Sequence, residues 1–459
     1  MIEDIINEAK KIVEPSVEER NRVYKVANYF VNVISNYFKD KYSDIEVSIQ
    51  GSVAKDTWLP GNRDIDIFII LPKNYNYSII DKIINELIDL AISKNFNWII
   101  KYAEHPYIQF RYEDFDIDVV PCFKISIGEK PITPADRTPL HTQYIISKLS
   151  SDLKIEVRLL KKFLKVINVY GAEIKVEGFS GYLTELLILH YGNFLKTIQE
   201  IANNWRPGRV IIDVEKYYSD RNVIKKMFRE SSLIVIDPID SKRNVAAAVS
   251  RESMAKLIAA CKWFLHRPSI QFFKGEYTLN IDLSGKLLPP VLVMTMNYPE
   301  KTSPDIVWGE LKKLSRCLVR NLRKMNFNIY TIDLWSDEKK DLVIMITLEK
   351  HDLTPYELHE GPPTYSNASL KFIEKYLNDS EVLGPFIIGS RWYVIRRRKV
   401  VHVEDAVKSI IRILSLKHLP LSTLKFYRIE RIEDLDKIPE NIRDIVYEHI
   451  VKKPKWLCC

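Results

Sequence analysis

The chain has 459 residues, with 46% hydrophobic and 28% charged side chains, which suits a globular protein of several domains. Its formal charge of +8 and sequence pI near 8.9 favour an acidic partner, of which nucleic acid is the commonest, although a generic basic surface gives the same balance. The five cysteines (Cys122, Cys261, Cys317, Cys458, Cys459) are scattered and lack zinc spacing, arguing against a disulfide framework or structural zinc, with Cys458-Cys459 read as a frayed tail.

The first twenty residues mix charge and apolar residues at helical spacing, unlike a targeting peptide, and no apolar run matches the length of a bilayer span. A reduced cytoplasmic compartment and no membrane partner are expected. Residues 1–40 read as one or two amphipathic helices, and Ile45–Ile49 as a strand. Gly51-Ser52 breaks that strand. Beyond the turn Pro60-Gly61-Asn62, Asp64–Ile70 reads as a strand, Ile79–Lys94 as a helix, and Tyr107–Tyr112 and Phe115–Val120 as two more strands. This order predicts a small mixed α/β domain over residues 1–145. From 146 to 268 the pattern is mainly helical, with loops at Arg206-Pro207-Gly208 and Asp237-Pro238. Residues 269–459 read as an α+β region. It holds a strand at Val291–Met296, a helix at Asp305–Met325, strands at Phe327–Trp335, Asp341–Leu348 and Arg391–Val401, and a short helix between 351 and 390 beside Gly361-Pro362-Pro363. No internal repeat is present.

The chemistry concentrates in Gly51 to Asp66. Asp64 and Asp66, two apart on a strand, project from one face with Cα atoms roughly 7 Å apart. Hard divalent cations take such oxygen ligands, and burying the pair without a cation is costly. Gly51-Ser52 offers a close backbone approach, N–H groups and a hydroxyl for phosphate oxygens, and Lys55 adds a point charge. Asp118, on the strand before Pro121, supplies a third carboxylate, enough with the other two to hold two metal ions. A lone D-x-D is usually a solvated face or an ion pair, and Gly-Ser usually only a turn. The combination, in this order, points to nucleotidyl transfer.

The stretch Gly51 to Phe68 resembles the signature of polymerase-β-like nucleotidyltransferases. More closely, the chain resembles the archaeal, class I CCA-adding enzymes. The supporting blocks are Asp136–Thr142, Gly171-Ala172-Glu173 with Gly178–Leu183, Asp237-Pro238 with Arg243–Ala247, and Gly361-Pro362-Pro363. The resemblance implies an α+β multidomain fold: a polymerase-β-like catalytic domain, a helical central domain completing the nucleotide pocket, and an α+β C-terminal body and tail for tRNA. It implies template-independent addition of C, C and A to the tRNA 3′ end from CTP and ATP. Asp64, Asp66 and Asp118 then ligate two Mg2+ ions. Gly51, Ser52, Lys55, His141, Lys161 and Tyr170 contact the nucleotide, and Arg243 helps to read the base. A homodimer is compatible with this family, although the sequence leaves oligomeric state open.

Asp56 departs from the pattern, because related sequences often carry glycine there; it is expected to point away from the phosphates. Lys161 shares a helix face with Arg158, Lys162 and Lys165, and a solvated basic face is the commoner meaning of that pattern. Tyr170 would face away from Lys161 on one continuous helix, so their convergence requires the helix to end before Gly171. His141 alone reads more readily as a core or capped histidine. For RNA, the ridge Lys312, Arg316, Arg320 and Arg323 and the run Arg396-Arg397-Arg398-Lys399 beside Trp392 and Tyr393 are candidates, each with a structural alternative. Other readings are a poly(A) polymerase or oligoadenylate synthetase-like enzyme, and an inactive RNA-binding homologue, which the intact carboxylate set disfavours.

Overall fold

The computed structural model describes residues 2–458 except 43, 103–104, 276–282, 284–287, 301, 416–426 and 433–437. Two compact units result, Met1–Leu279 with Pro454–Cys459, and Asn280–Lys453. Among the described residues no helix is long and apolar enough to cross a membrane.

The first unit opens with α1 (Ile2–Val13) and α2 (Val17–Lys39), whose N-cap Ser16 accepts from the Glu19 amide. A five-stranded sheet in the order β1-β2-β5-β4-β3 follows, built from β1 (Glu46–Ile49), β2 (Asp64–Leu71), β3 (Asn97–Tyr102), β4 (Pro106–Tyr112) and β5 (Phe115–Phe123). Helix α3 (Gly51–Lys55) links β1 to β2, and α4 (Ile79–Lys94) links β2 to β3. Strands β2 and β5 run parallel at the centre of the sheet. Their alternation sends Ile65, Ile67, Ile117 and Val119 into the core beneath α2 and α4, and the intervening aspartates to the opposite face. Strand β5 continues through Pro121, beyond its expected end at Val120. The missing N–H costs nothing there because β4 pairs β5 only as far as Val119. Strand β3 is an element the sequence reading did not anticipate.

Helices α5 (Thr138–Lys148), α6 (Ser151–Val166), α7 (Gly181–Tyr191), α8 (Phe194–Asn204), α9 (Arg221–Met227), α10 (Arg251–His266) and α11 (Gln271–Lys274) complete the unit. Their core gathers Phe163, Phe194, Phe264, Phe272 and Phe273, and α1 packs here through Ile6, Ala9 and Val13. This region also holds a three-stranded sheet of β6 (Val210–Asp213), β7 (Leu233–Asp237) and β8 (Asp240–Asn244), absent from the mainly helical expectation. Asp237-Pro238, expected in a loop, is the sharp connection from β7 to β8. A frayed tail at Cys458-Cys459 falls on side chains outside the described residues; just before it, Trp456 is buried in the same core.

The second unit is built on a four-stranded sheet, β10-β11-β9-β15, of β9 (Val291–Asn297), β10 (Ile329–Ser336), β11 (Asp341–Leu348) and β15 (Tyr427–Ile432). Helices α12 (Pro304–Lys324) and α14 (Val403–Ser415) share its larger core, and α15 (Glu440–Val451) joins a smaller one. A three-stranded sheet of β12 (Tyr356–Pro363), β13 (Leu383–Ile388) and β14 (Arg391–Arg397) carries α13 (Ala368–Tyr376) on one face.

Candidate active site

The parallel register of β2 and β5 sets Asp66 opposite Asp118 and Asp64 opposite Asp116. Burial, with Asp118 and Asp64 adding repulsion, raises the Asp66 carboxyl from 3.8 to about 6, against the pull of Lys55. Burial likewise raises Asp64, with Asp116 reinforcing it and Lys101 and Lys165 opposing it. Asp118 is raised by burial too, and Gln109, its cross-strand partner on β4, donates to its Oδ1 at 2.7 Å. Among the described residues, no group of three His, Cys, Asp or Glu side chains is drawn together closely enough to hold a metal ion.

Gly51 seals this group. The backbone turns there with φ +64°, and a Cβ would stand 1.9 Å from Asp66 Oδ2. The Gln50 amide donates to the Asp66 carbonyl at 2.8 Å, fixing the turn against β2. Ser52 follows in the first turn of α3, and Asp56 caps that helix with φ 53°. This left-handed conformation explains why glycine would suit the position. The Asp56 carboxylate is bonded to Arg20, to Arg158 Nη2 at 2.7 Å and, more loosely, to Lys154 at 3.5 Å. It turns to these cations, in keeping with the expected outward orientation.

Behind the Gly51 turn lies a buried charge network. Lys55 Nζ donates to Glu185 Oε2 at 2.6 Å. Lys161 Nζ donates to the Thr57 carbonyl at 3.1 Å, to Thr57 Oγ1 at 2.9 Å and to Glu185 Oε1 at 3.2 Å. All three residues are buried, and Glu185 is wholly so. Burial opposes ionisation of Glu185, yet the two lysines hold its pKa down to about 2. Burial lowers the Lys161 pKa against the pull of Glu185, and Lys55 also faces Asp66, so these charges interact in a dry region where they act over longer range than in water. Lys161 and Arg158 are therefore not a solvated face; of the five basic residues on α6, Lys165 is the exposed one, and Lys154 and Lys162 are part-buried.

Tyr170 joins Lys161 because α6 ends at Val166 and the chain turns back to bridge Tyr170 with Phe179. Both side chains converge on Gly181, where a Cβ would lie 3.0 Å from the Tyr170 hydroxyl and 3.7 Å from Lys161 Nζ. The glycine at the start of α7 makes room for them.

A second polar group centres on Asp237, which is fully buried. His141 Nε2 lies 2.9 Å from its Oδ2, Arg243 Nη1 donates to the same oxygen at 2.8 Å, and the Tyr182 hydroxyl donates to Oδ1 at 3.2 Å. The His141 ring lies against Tyr182, with centroids 4.0 Å apart. Burial lowers the His141 pKa against the pull of Asp237. Arg137 of the same sequence block binds Asp240 through Nε and Nη2, while Asp136 accepts from the amides of Phe123, Ile132 and Thr133 and shapes the loop. Arg243, Lys242, Arg137 and Lys130 line a cavity of about 760 Å3 together with Phe228 and Val245.

The chain matches three family models in succession: nucleotidyltransferase domain over residues 31–141, tRNA nucleotidyltransferase second domain over 155–274, and CCA-adding enzyme C-terminal domain over 290–423. A CCA-adding enzyme of Pyrobaculum islandicum is 42% identical over 89% of this chain and 94% of its own length. The chain belongs to the CCA-adding enzyme family. A CCA-adding enzyme of Saccharolobus islandicus is 35% identical over 100% of both chains. A cytoplasmic RNA terminal U-transferase structure overlaps 59% of this chain at TM-score 0.47 and 14% identity, which is too distant to bear on the site. Family membership fits the expected α+β nucleotidyltransferase architecture. Glu185, Thr57, Gln109, Tyr182 and Asp237 were given no role in the sequence reading. Asp237 carried a signal there, lying in a block shared with Arg243. Tyr182 likewise lies in the block Gly178–Leu183 and Thr57 in the stretch Gly51 to Asp66, whereas Glu185 and Gln109 are polar residues of a mainly apolar helix and of a strand, and only packing shows their partners.

Proposed function

We propose that this chain adds C, C and A in turn to the 3′ end of tRNA, without a template, from CTP and ATP in the cytoplasm. In each step the 3′-oxygen bonds to the α-phosphorus, the bond to the β-phosphate bridge breaks, pyrophosphate leaves and the hydroxyl proton is lost. The observation that carries this reading is the Gly51 turn pressed on Asp66, with Asp64 and Asp118 beside it and the Lys55–Glu185–Lys161 network behind.

The carboxylates fit divalent cations: they are hard oxygen donors, and their mutual repulsion with burial is what a cation relieves. In this reading Asp64, Asp66 and Asp118 hold two Mg2+ ions, which when bound acidify the 3′-hydroxyl and offset charge on the triphosphate. Gln109 keeps Asp118 oriented. Gly51 and Ser52 present polar groups to the phosphates, and Lys55, held by Glu185, stands beside them as the nearest cation on α3. Lys161 has three acceptors for its three N–H bonds, so its part is chiefly electrostatic and in holding Lys55 through Glu185. Tyr170 closes the same end. His141 and Arg243, both held by Asp237, flank the base, and the 760 Å3 cavity receives it with the RNA end. Residues 1–145 serve as the catalytic domain, 146–268 complete the pocket, and 269–459 bind tRNA. Each copy carries the whole carboxylate set, so the chain is assayed in the same way as a monomer or a homodimer.

The test is incubation of the protein with magnesium, labelled CTP and ATP, and tRNA lacking its 3′ CCA, followed by sequencing of the ends. Clean C-C-A extension, lost in Asp64→Ala and Asp118→Ala, is expected. Long A tails would assign the chain to a poly(A)-type activity, and no incorporation on any RNA would leave a binding module.

A further inference from the structure

The second unit carries two basic surfaces that sequence density ranks in the wrong order. The run Arg396-Arg397-Arg398 is the denser, yet Arg396 and Arg398 both donate to Glu357, Nε to Oε1 at 2.9 Å and Nη1 to Oε2 at 3.0 Å. Nearby Arg391 pairs with Glu360 at 2.8 Å. Three of the arginines on this face are thus tied to two carboxylates of their own sheet, whereas Arg397 and Lys399 are exposed.

Helix α12 differs. From Leu311 to Met325 it carries Lys312, Lys313, Arg316, Arg320, Arg323 and Lys324 and no acidic residue. Its opposite stripe, Leu311, Leu314, Leu318 and Leu322, is sealed in the core, which fixes the helix's rotation. Arg316, Arg320, Arg323 and Lys324 are exposed, and none forms an ion pair among the described residues. Arg316, Arg320 and Arg323, at i, i+4 and i+7, climb roughly 10 Å along one stripe. With Lys324 they border a trough of about 570 Å3 floored by Val319 and Ile332, the latter on the edge strand β10. Four unneutralised cations spread over that length suit an extended polyanion, whose charges recur every few ångströms, better than a single small anion.

We infer that the exposed stripe Arg316–Arg320–Arg323–Lys324 of α12 is a seat for the phosphate backbone of the RNA substrate. This rests on the tRNA-extending reading above. Guanidinium groups on consecutive turns hold phosphates without reading bases, so the seat recognises RNA by backbone and shape.

The test uses the full chain with Arg316→Gln, Arg320→Gln and Arg323→Gln combined, measuring affinity for tRNA lacking CCA across a potassium chloride series. Loss of up to three phosphate contacts weakens binding on the order of 100-fold at low salt and flattens the log–log salt slope by about 2–3. An unchanged calorimetric unfolding profile, which includes the second unit that carries α12, reports that the variant is folded. Wild-type affinity and slope in the variant would overturn the seat, leaving the stripe for an acidic protein. As an independent readout, tRNA bound to the wild-type chain should shield Arg316, Arg320 and Arg323 from an arginine-selective dicarbonyl reagent; modification at the free-chain rate would equally reject it. Failure of the wild-type chain to make C-C-A ends would defeat the functional reading separately, because affinity and shielding are measured without turnover.

Discussion

Asp66 is held where an aspartate is least comfortable, beside two like charges and under the Gly51 turn, with its carboxyl raised to about 6. A raised carboxylate pKa means that the ionised form costs folding energy at neutral pH. Asp66→Asn therefore has opposite effects on stability and activity. It should raise the thermal midpoint by a few degrees in chelator, read by calorimetry, while nucleotide addition with magnesium falls by at least about 10²–10³-fold. A parallel loss of both would mean that Asp66 is an ordinary structural residue. The order Gly-Ser, then Asp64 and Asp66, then Asp118 was legible because chemistry fixed it in sequence. The tie of Asp56 to Arg20, Lys154 and Arg158 was not, because its partners lie on helices far along the chain.

At the scale of elements, three short pieces meet through one side chain. Lys55 ends α3, Lys161 stands on α6, and Glu185 on α7 joins them. Periodicity places α6 and α7 in a helical stretch but leaves α3 unread, and a glutamate inside Leu-Thr-Glu-Leu-Leu gives no sign of being buried; its lysine partners are 130 and 24 positions away. The same blindness to distant pairing hid β3 and the β6–β8 sheet: a strand such as β7, buried along its whole length, lacks the alternation that marks a half-exposed one. For Glu185 the pairing has a pH signature. Its pKa falls from 4.5 to about 2 in the folded chain, so its contribution to stability is complete above about 4.5 and is lost as pH drops toward 2. Glu185→Gln leaves the lysines buried without their carboxylate, costing about 3–5 kcal/mol at neutral pH. It should also flatten the loss of stability across that acid window, measured by urea unfolding at successive pH values. An unchanged acid slope would show that Glu185 is not the group that titrates.

Over the whole molecule, the two units own separate cores, and the chain visits the first of them twice. After α15 it returns to place Trp456 against Phe272, with ring centroids 6.4 Å apart, inside the core that also contains α6 and α7. The end of the chain thus supports the helices that carry Lys161 and Glu185. Trp456→Ala opens a large void there and should cost about 3–5 kcal/mol. In the second unit, His449 is buried between Thr347 Oγ1 at 2.8 Å and Asp333 Oδ2 at 2.7 Å, so His449→Ala damages the other core. Ligand linkage separates the two lesions. A nucleotide bound only by the folded first unit stabilises that unit by about 2.7 kcal/mol at a hundredfold excess over its Kd. CTP with magnesium should therefore recover much of the midpoint lost in Trp456→Ala and little of that lost in His449→Ala, as followed by calorimetry. Equal recovery in both variants would mean that the units unfold as one, and that the nucleotide site draws its stability from the entire chain.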